Sequence, residues 1–193
     1  MKNIFKAAVF VLVLGISSLA KADVYTIDPA HTTIGFSVSH MMVSEVSGVF
    51  NDLAGTVDYD PQNVAATKID VTIQAASIDT RQEGRDEHLR KPEFFDAEKY
   101  PAIIFKSAAV TQNEGTLMLE GDLTIKDVTK KVSIPLRING PVKNGDKTLI
   151  GLGGVLMVNR QDYGVSFSKQ MDTGGLVVGN DVKISFSVEA KSN

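Results

Sequence analysis

The chain has 193 residues, a formal net charge of −3 and no cysteine. A mildly acidic chain lacks the basic patches that phosphate backbones and anionic membrane surfaces demand, which argues against nucleic acid as a partner. Without cysteine there is neither a disulfide framework nor a residue to carry an N-terminal lipid. A buried apolar core must hold the fold, and this length favours one domain.

In chain order, the first segment does not belong to the fold. Lys2 and Lys6 precede an apolar run over residues 7–14, and Ala20-Lys21-Ala22 forms a small-x-small cleavage pattern. The run is shorter than the about 20 residues a membrane span needs. Residues 1–22 therefore read as a cleaved secretory signal peptide, leaving residues 23–193 as an exported, periplasmic domain without a membrane span. Loss of the leader's three lysines moves the formal charge from −3 to −6.

The mature sequence is dominated by period-two alternation. Residues 68–75 set Ile69, Val71, Ile73 and Ala75 against Lys68, Asp70, Thr72 and Gln74. The same pattern recurs through Leu117, Leu119, Leu123 and Ile125, through Val132, Ile134, Leu136 and Ile138, and through Val182, Ile184, Phe186 and Val188. Each reads as a half-buried antiparallel strand. Weaker runs cover residues 32–40, 53–59, 102–108, 149–158 and 163–167. Turn residues at 60–63, 113–115, 139–141 and 144–145 separate them. About eight strands with little helix between them make an all-β meander. Its apolar face must be hidden in a sandwich or a closed barrel. An eight-stranded barrel can be filled by side chains or can hold one small ligand, and periodicity does not distinguish these. Glycines at 151, 153 and 154 mark a barrel corner or the close approach of another group.

The exception lies around residues 80–99. Thr80-x-x-Glu83 fits a capping box, Pro92 should stop the helix near Arg90, and only Leu89 between them is strongly apolar. A short surface helix is expected, with Phe94 and Phe95 turned inward. Asp86 and Glu87 read as a solvated face and His88 as structural.

Chemical motifs are sparse. Three histidines without cysteine fall short of a local zinc set, and no HExxH, calcium loop or G-x-S-x-G elbow is present. Asp86 and Glu87 diverge where a glycosidase pair would face each other. No catalytic residue, metal ligand or cofactor is assigned. Arg160 and Asp162 are expected near a mouth of the barrel, as a mutual structural ion pair in preference to contact with a ligand head group.

The sequence resembles the YceI-like family of exported bacterial proteins. The resemblance runs through Tyr25-Thr26-Ile27-Asp28-Pro29-Ala30-His31-Thr32, Ile34-Gly35-Phe36, Gly48-Val49-Phe50, Asp86-Glu87-His88-Leu89, Phe94-Phe95-Asp96 and Tyr100-Pro101. It continues through Gly121-Asp122-Leu123-Thr124-Ile125, Asn159-Arg160-x-Asp162-Tyr163-Gly164 and Val182-x-Ile184. It departs at Thr32, Lys91 and near Asp127, where that family often carries serine, a small polar residue and glycine. The resemblance implies an eight-stranded, lipocalin-like antiparallel barrel with an apolar tunnel for a polyprenyl chain or an isoprenoid quinone tail, and no settled enzymatic activity. Burying ten ligand carbons gains about 8 kcal/mol. Association and chain ordering offset about half of that, so a charged anchor is unnecessary. Expected lining residues are Phe36, Val38, Val71, Ile73, Phe105, Leu119, Leu136, Phe167 and Phe186. The alternatives are an enzyme acting on a barrel-bound lipid, or a packed barrel working through its outer surface. Oligomeric state is left open.

Overall fold

A computed structural model describes residues 23–172 and 174–192. The expected signal peptide lies outside the described residues. In chain order the elements are β1 (Asp23–Ile27), β2 (Thr33–His40), β3 (Ser44–Phe50), β4 (Leu53–Tyr59), β5 (Lys68–Gln74), β6 (Ile78–Asp79), α1 (Glu83–Leu89), β7 (Ala102–Asn113), β8 (Thr116–Ile125), β9 (Val128–Asn144), β10 (Lys147–Asn159) and β11 (Val178–Ser192).

Eight strands close into an antiparallel barrel in the order β1-β4-β5-β7-β8-β9-β10-β11, and β11 pairs back onto β1 with Ile27 opposite Ala190. The first strand is in effect bent. The 3-10 turn Pro29–His31 separates β1 from β2, and both pair with β11, so Phe36 lies opposite Ile184 further along the same partner. β3 pairs with β2, and the two-residue β6 pairs with the end of β3. Beyond the closed ring the wall is therefore the short β2–β3–β6 extension, and other segments must complete it.

Alternation places the core as the sequence reading expects. β5 buries Ile69, Val71 and Ile73 and exposes Lys68, Asp70, Thr72 and Gln74. β8 buries Leu119, Gly121, Leu123 and Ile125. Tight reversals need left-handed backbone at Glu114-Gly115 and at Lys126-Asp127, the latter joining β8 to β9.

Three local expectations fail for physical reasons. Residues 139–141 do not reverse the chain: β9 runs through them, and Gly140 at φ +95° meets a register shift against β10 between Leu149 and Gly151. The two strands stay paired across that bulge, and the reversal comes at Gly145. Residues 163–167 are not a strand. The chain leaves β10 through a 3-10 turn over Arg160–Tyr163, capped by left-handed Gly164, and buries Tyr163 and Val165. Thr80 does not cap α1. Gln82 does, its side chain accepting from the Arg85 amide, while Thr80 is buried two residues earlier.

Candidate functional site

The barrel interior is hollow in two places. One cavity, of about 100 Å³, is walled by strand residues throughout, among them Ile69, Val71, Phe105, Leu119, Leu152 and Phe186. A second, of about 140 Å³, lies at the end where the ring gives way to β2 and β3. Phe36, Val38, Val158 and Val182 wall it from the strands, and Leu89, Phe94, Phe95, Tyr163 and Val165 from outside them. The two meet at a common waist of Ile34, Ile73, Leu123 and Ile184. Both are narrow, smaller than the roughly 300–1,000 Å³ usual for ligand pockets, and their surfaces are apolar almost throughout.

Glycine makes room for the aromatic wall. A Cβ at Gly154 would stand 2.6 Å from the Phe186 ring, its cross-strand neighbour. At Gly121 it would stand 2.6 Å from Phe105, and at Gly48 2.7 Å from Phe36. Each ring thus lies over a position without a side chain on an adjoining strand, against the wall that it helps to line. The glycines at 151–154 answer to close approach more than to a corner: Gly153 faces the Arg137 guanidinium, and Gly154 carries Phe186.

The open end is covered by α1 and the turns that follow it to Lys99. Four ties hold this cover. Thr80 donates its amide and its hydroxyl to buried Asp86 Oδ1, the amide at 2.9 Å. Arg90 donates to the carbonyls of Ala76 at 2.8 Å and Ile78 at 3.2 Å. Lys126 Nζ donates to Pro92 O at 2.7 Å and Gly164 O at 3.0 Å. Phe167 N donates to Glu93 O at 2.9 Å. Aromatic contacts continue the cover into the wall, with Phe95 edge-on to Phe50 at 5.7 Å and Phe50 beside Phe36 at 6.0 Å.

This corrects the reading of Asp86 as a solvated residue. It is 7 % exposed, and it is the acceptor that satisfies Thr80. His88 is half exposed, accepts an edge contact with Phe94 and lies 2.9 Å from Glu93 Oε1, outside both cavities. Glu93 is held below the usual carboxylate range by a backbone hydrogen bond first and by His88 second.

Arg160 and Asp162 do not pair. Asp162 lies 3.7 Å from Lys130 on the surface. Arg160 is 5 % exposed and spends its guanidinium on the carbonyls of Val165, Val178 and Gly179 and on Asn180 Oδ1, at 2.7–3.2 Å. Burial pulls its pKa down. Its side chain borders the larger cavity, yet its donors point into backbone oxygen, so the lumen gains no exposed charge. Sequence reasoning missed this clamp. Its one signal was an arginine directly after a strand that ends in Asn159.

Of the lining residues named from sequence, Phe36 and Val38 border the larger cavity, Val71, Phe105, Leu119 and Phe186 the smaller one, and Ile73 both. Leu136 is buried in packed core, off either cavity. Phe167 stacks on Phe94 at 4.9 Å within the cover. The waist residues Ile34, Leu123 and Ile184 were not named, although each sits on an inward parity.

A polar cluster marks the opposite side. Asp28, His31 and Glu189 approach within 4.8 Å of one another. His31 Nδ1 and Lys191 Nζ both reach Asp28 Oδ2, at 2.8 and 3.0 Å, and hold that carboxyl down to about 2. The same hydrogen bond to Asp28 raises His31. With two cationic partners on one oxygen, the cluster is an ion-pair knot fastening the turn before β2 to the end of β11.

Comparison with known proteins places this architecture. The YceI-like domain matches residues 25–190. A UPF0312 protein of Staphylococcus aureus strain N315 is 35% identical over 167 residues, covering 86% of this chain and 95% of its own. The YCEI protein of Campylobacter jejuni superposes with a TM-score of 0.68 at 33% identity, over 86% of this chain and 96% of that one. BcnA of Burkholderia cenocepacia gives 0.73 at 26% identity, over 84% and 98%. A polyisoprenoid binding domain from Saccharophagus degradans, implicated in plant cell wall breakdown, gives 0.65 at 14% identity over 88% and 98%, and so shares the fold. Closed barrel, domain match and shared sequence agree: the chain belongs to the YceI-like family.

Proposed function

We propose that the protein is a periplasmic binding or carrier protein that holds an isoprenoid lipid, a polyprenyl chain or the tail of an isoprenoid quinone, in the lumen of its barrel. The observation that carries this reading is the pair of apolar cavities meeting at Ile34, Ile73, Leu123 and Ile184. A long methyl-branched chain needs burial and no directional partner, and each buried methylene contributes about 0.8 kcal/mol. Arg160, the one charged side chain at the wall among the described residues, donates to three backbone carbonyls and to Asn180 Oδ1, so selection rests on shape and apolarity. A polar head group would remain at the covered end, where the wall includes segments outside the strands. The name of the Saccharophagus neighbour, a polyisoprenoid binding domain, fits the same chemistry.

An enzyme acting on a bound lipid finds less support. Asp86 is committed to Thr80, and His88 sits outside the cavities beside Glu93. Solvent extraction of the purified native protein followed by mass spectrometry tests the proposal. A recurrent isoprenoid at near-equimolar yield is expected. Protein that is repeatedly empty and fails to take up an added isoprenoid quinone would contradict it.

A further inference from the structure

The hairpin joining β2 to β3 ends in Met41, Met42 and Val43, which are 44 %, 71 % and 84 % exposed. Such a run is unusual at this position on two counts. Met41 and Met42 both hold left-handed backbone, at φ 50° and 61°, which Asn and Gly adopt with least strain. Three consecutive large apolar side chains also stand in water where a polar turn would serve the hairpin equally well. A fourth joins them: the methyl of Met171 and the sulfur of Met42 flank the same glycine, Gly175.

The tip is continuous with the cavity mouth. Val38 is three residues before Met41, and Val178 pairs with His40; both valines wall the larger cavity. The Met41 amide donates to Val177 O at 2.8 Å, tying the tip to the strand that carries Val178 and Val182. From Thr32 to Ser44 the chain contains no Asp, Glu, Lys or Arg, so no fixed charge along this strand and turn opposes an apolar surface. Flexible, polarisable methionine suits contact with a disordered apolar partner.

We propose that this hairpin tip is a membrane-contacting element that seats the cavity mouth on a bilayer surface, so that a lipid chain passes between bilayer and lumen without crossing water. The occupant follows from what lies behind the tip: an apolar lumen is filled from the phase where isoprenoid chains reside. The inference rests on the carrier reading, and the test separates the two.

Mature protein is floated on zwitterionic vesicles of phosphatidylethanolamine and phosphatidylcholine, as wild type and as the Met42→Glu/Val43→Glu double variant, with Met42→Ser/Val43→Ser as a milder control. In parallel, equilibrium affinity for geranylgeraniol delivered from cyclodextrin is measured without vesicles. Wild type is expected to float, the glutamate variant to lose about tenfold in vesicle affinity, and the serine variant to fall between. All three should bind geranylgeraniol equally. Wild type that stays in the aqueous fraction overturns the proposal. So does a glutamate variant that floats equally well, or a tip whose substitution dissolves a dimer in sedimentation while flotation is unchanged. If flotation follows prediction and geranylgeraniol is not bound by any form, the docking surface stands and the carrier reading falls.

Discussion

The two halves of the lumen are built by different means. Around the smaller cavity every wall residue belongs to a strand, and the hydrogen-bonded ring fixes its position. Around the larger cavity the strands supply only part of the wall, and a helix, a run of turns and the segment after β10 supply the rest. The ring half derives its shape from register and from glycines that seat aromatic rings. The covered half derives its shape from individual side-chain clamps, chiefly Arg160, Asp86, Arg90 and Lys126. The first can change only by repacking the core. The second can loosen locally, which is where access to the lumen belongs.

Removing a clamp should give the largest effect. Arg160→Met strands the carbonyls of Val165, Val178 and Gly179 together. We expect a loss of about 3 kcal/mol in denaturant unfolding, with amide exchange rising first at residues 163–167 and 178–180 while β5 and β8 stay protected. Uniform loss of protection across the ring would erase the distinction between the halves.

The converse change strikes the ring. Gly154→Ala drives a methyl into the Phe186 ring and to 2.8 Å from Pro135 O, a backbone atom that cannot swing away. About 2 kcal/mol of destabilisation is expected, in the range of overpacked cores, and it should appear as global unfolding in a thermal melt. A melt unchanged from wild type would show that the ring half tolerates filling.

Thr80→Val tests the cover alone. It keeps the shape and deletes the hydroxyl that donates to Asp86 and accepts from Arg85 Nε at 2.7 Å. A cost of about 1 kcal/mol is expected, confined to faster exchange in α1. A change of the same size at β10 or β11 would mean that the cover and ring are one unit.

The smallest effect concerns the knot at Asp28. His31 is raised from its ordinary value of 6.5, so its contribution is present below that value and fades as pH rises through the folded one. Asp28 is lowered from 3.8 to about 2, so its contribution is present above 3.8 and fades as pH falls towards 2. The tie is complete from about pH 4 to the ordinary histidine value. An NMR titration of His31 should give a raised pKa that drops towards 6.5 in Asp28→Asn. An unmoved value would remove the carboxylate as its cause.

The same contrast decides what the sequence could reveal. Alternation exposes which face of β5, β8 or β11 is buried, and most residues expected on the lumen came from those strands or β2. Parity cannot separate inward residues that border space from inward residues that meet other atoms. Leu136 shares the parity of Ile134, yet it lies in packed core. Phe167 misled for another reason: residues 163–167 run from the end of a 3-10 turn into a loop, where alternation has no fixed meaning. In the covered half, one acidic residue of an apparently solvated helix is buried because a threonine six residues earlier needs an acceptor, and that pairing is a tertiary event. Arg160 looked like half of an ion pair because its carboxylate neighbour is close in sequence. Burial against four oxygens became visible only once β11 returned beside it.

The central claim is that the two cavities act as one site for a long apolar chain. Affinity for linear isoprenols of increasing length, measured for wild type and for Leu123→Trp, tests it most directly, since Leu123 stands at the waist shared by both. Wild-type affinity should rise with each added isoprene unit until the lumen is full, while Leu123→Trp should match wild type for the shortest chains and stop gaining at about the length of one cavity. Affinity that ignores chain length, or a length dependence untouched by the blocked waist, would contradict the account.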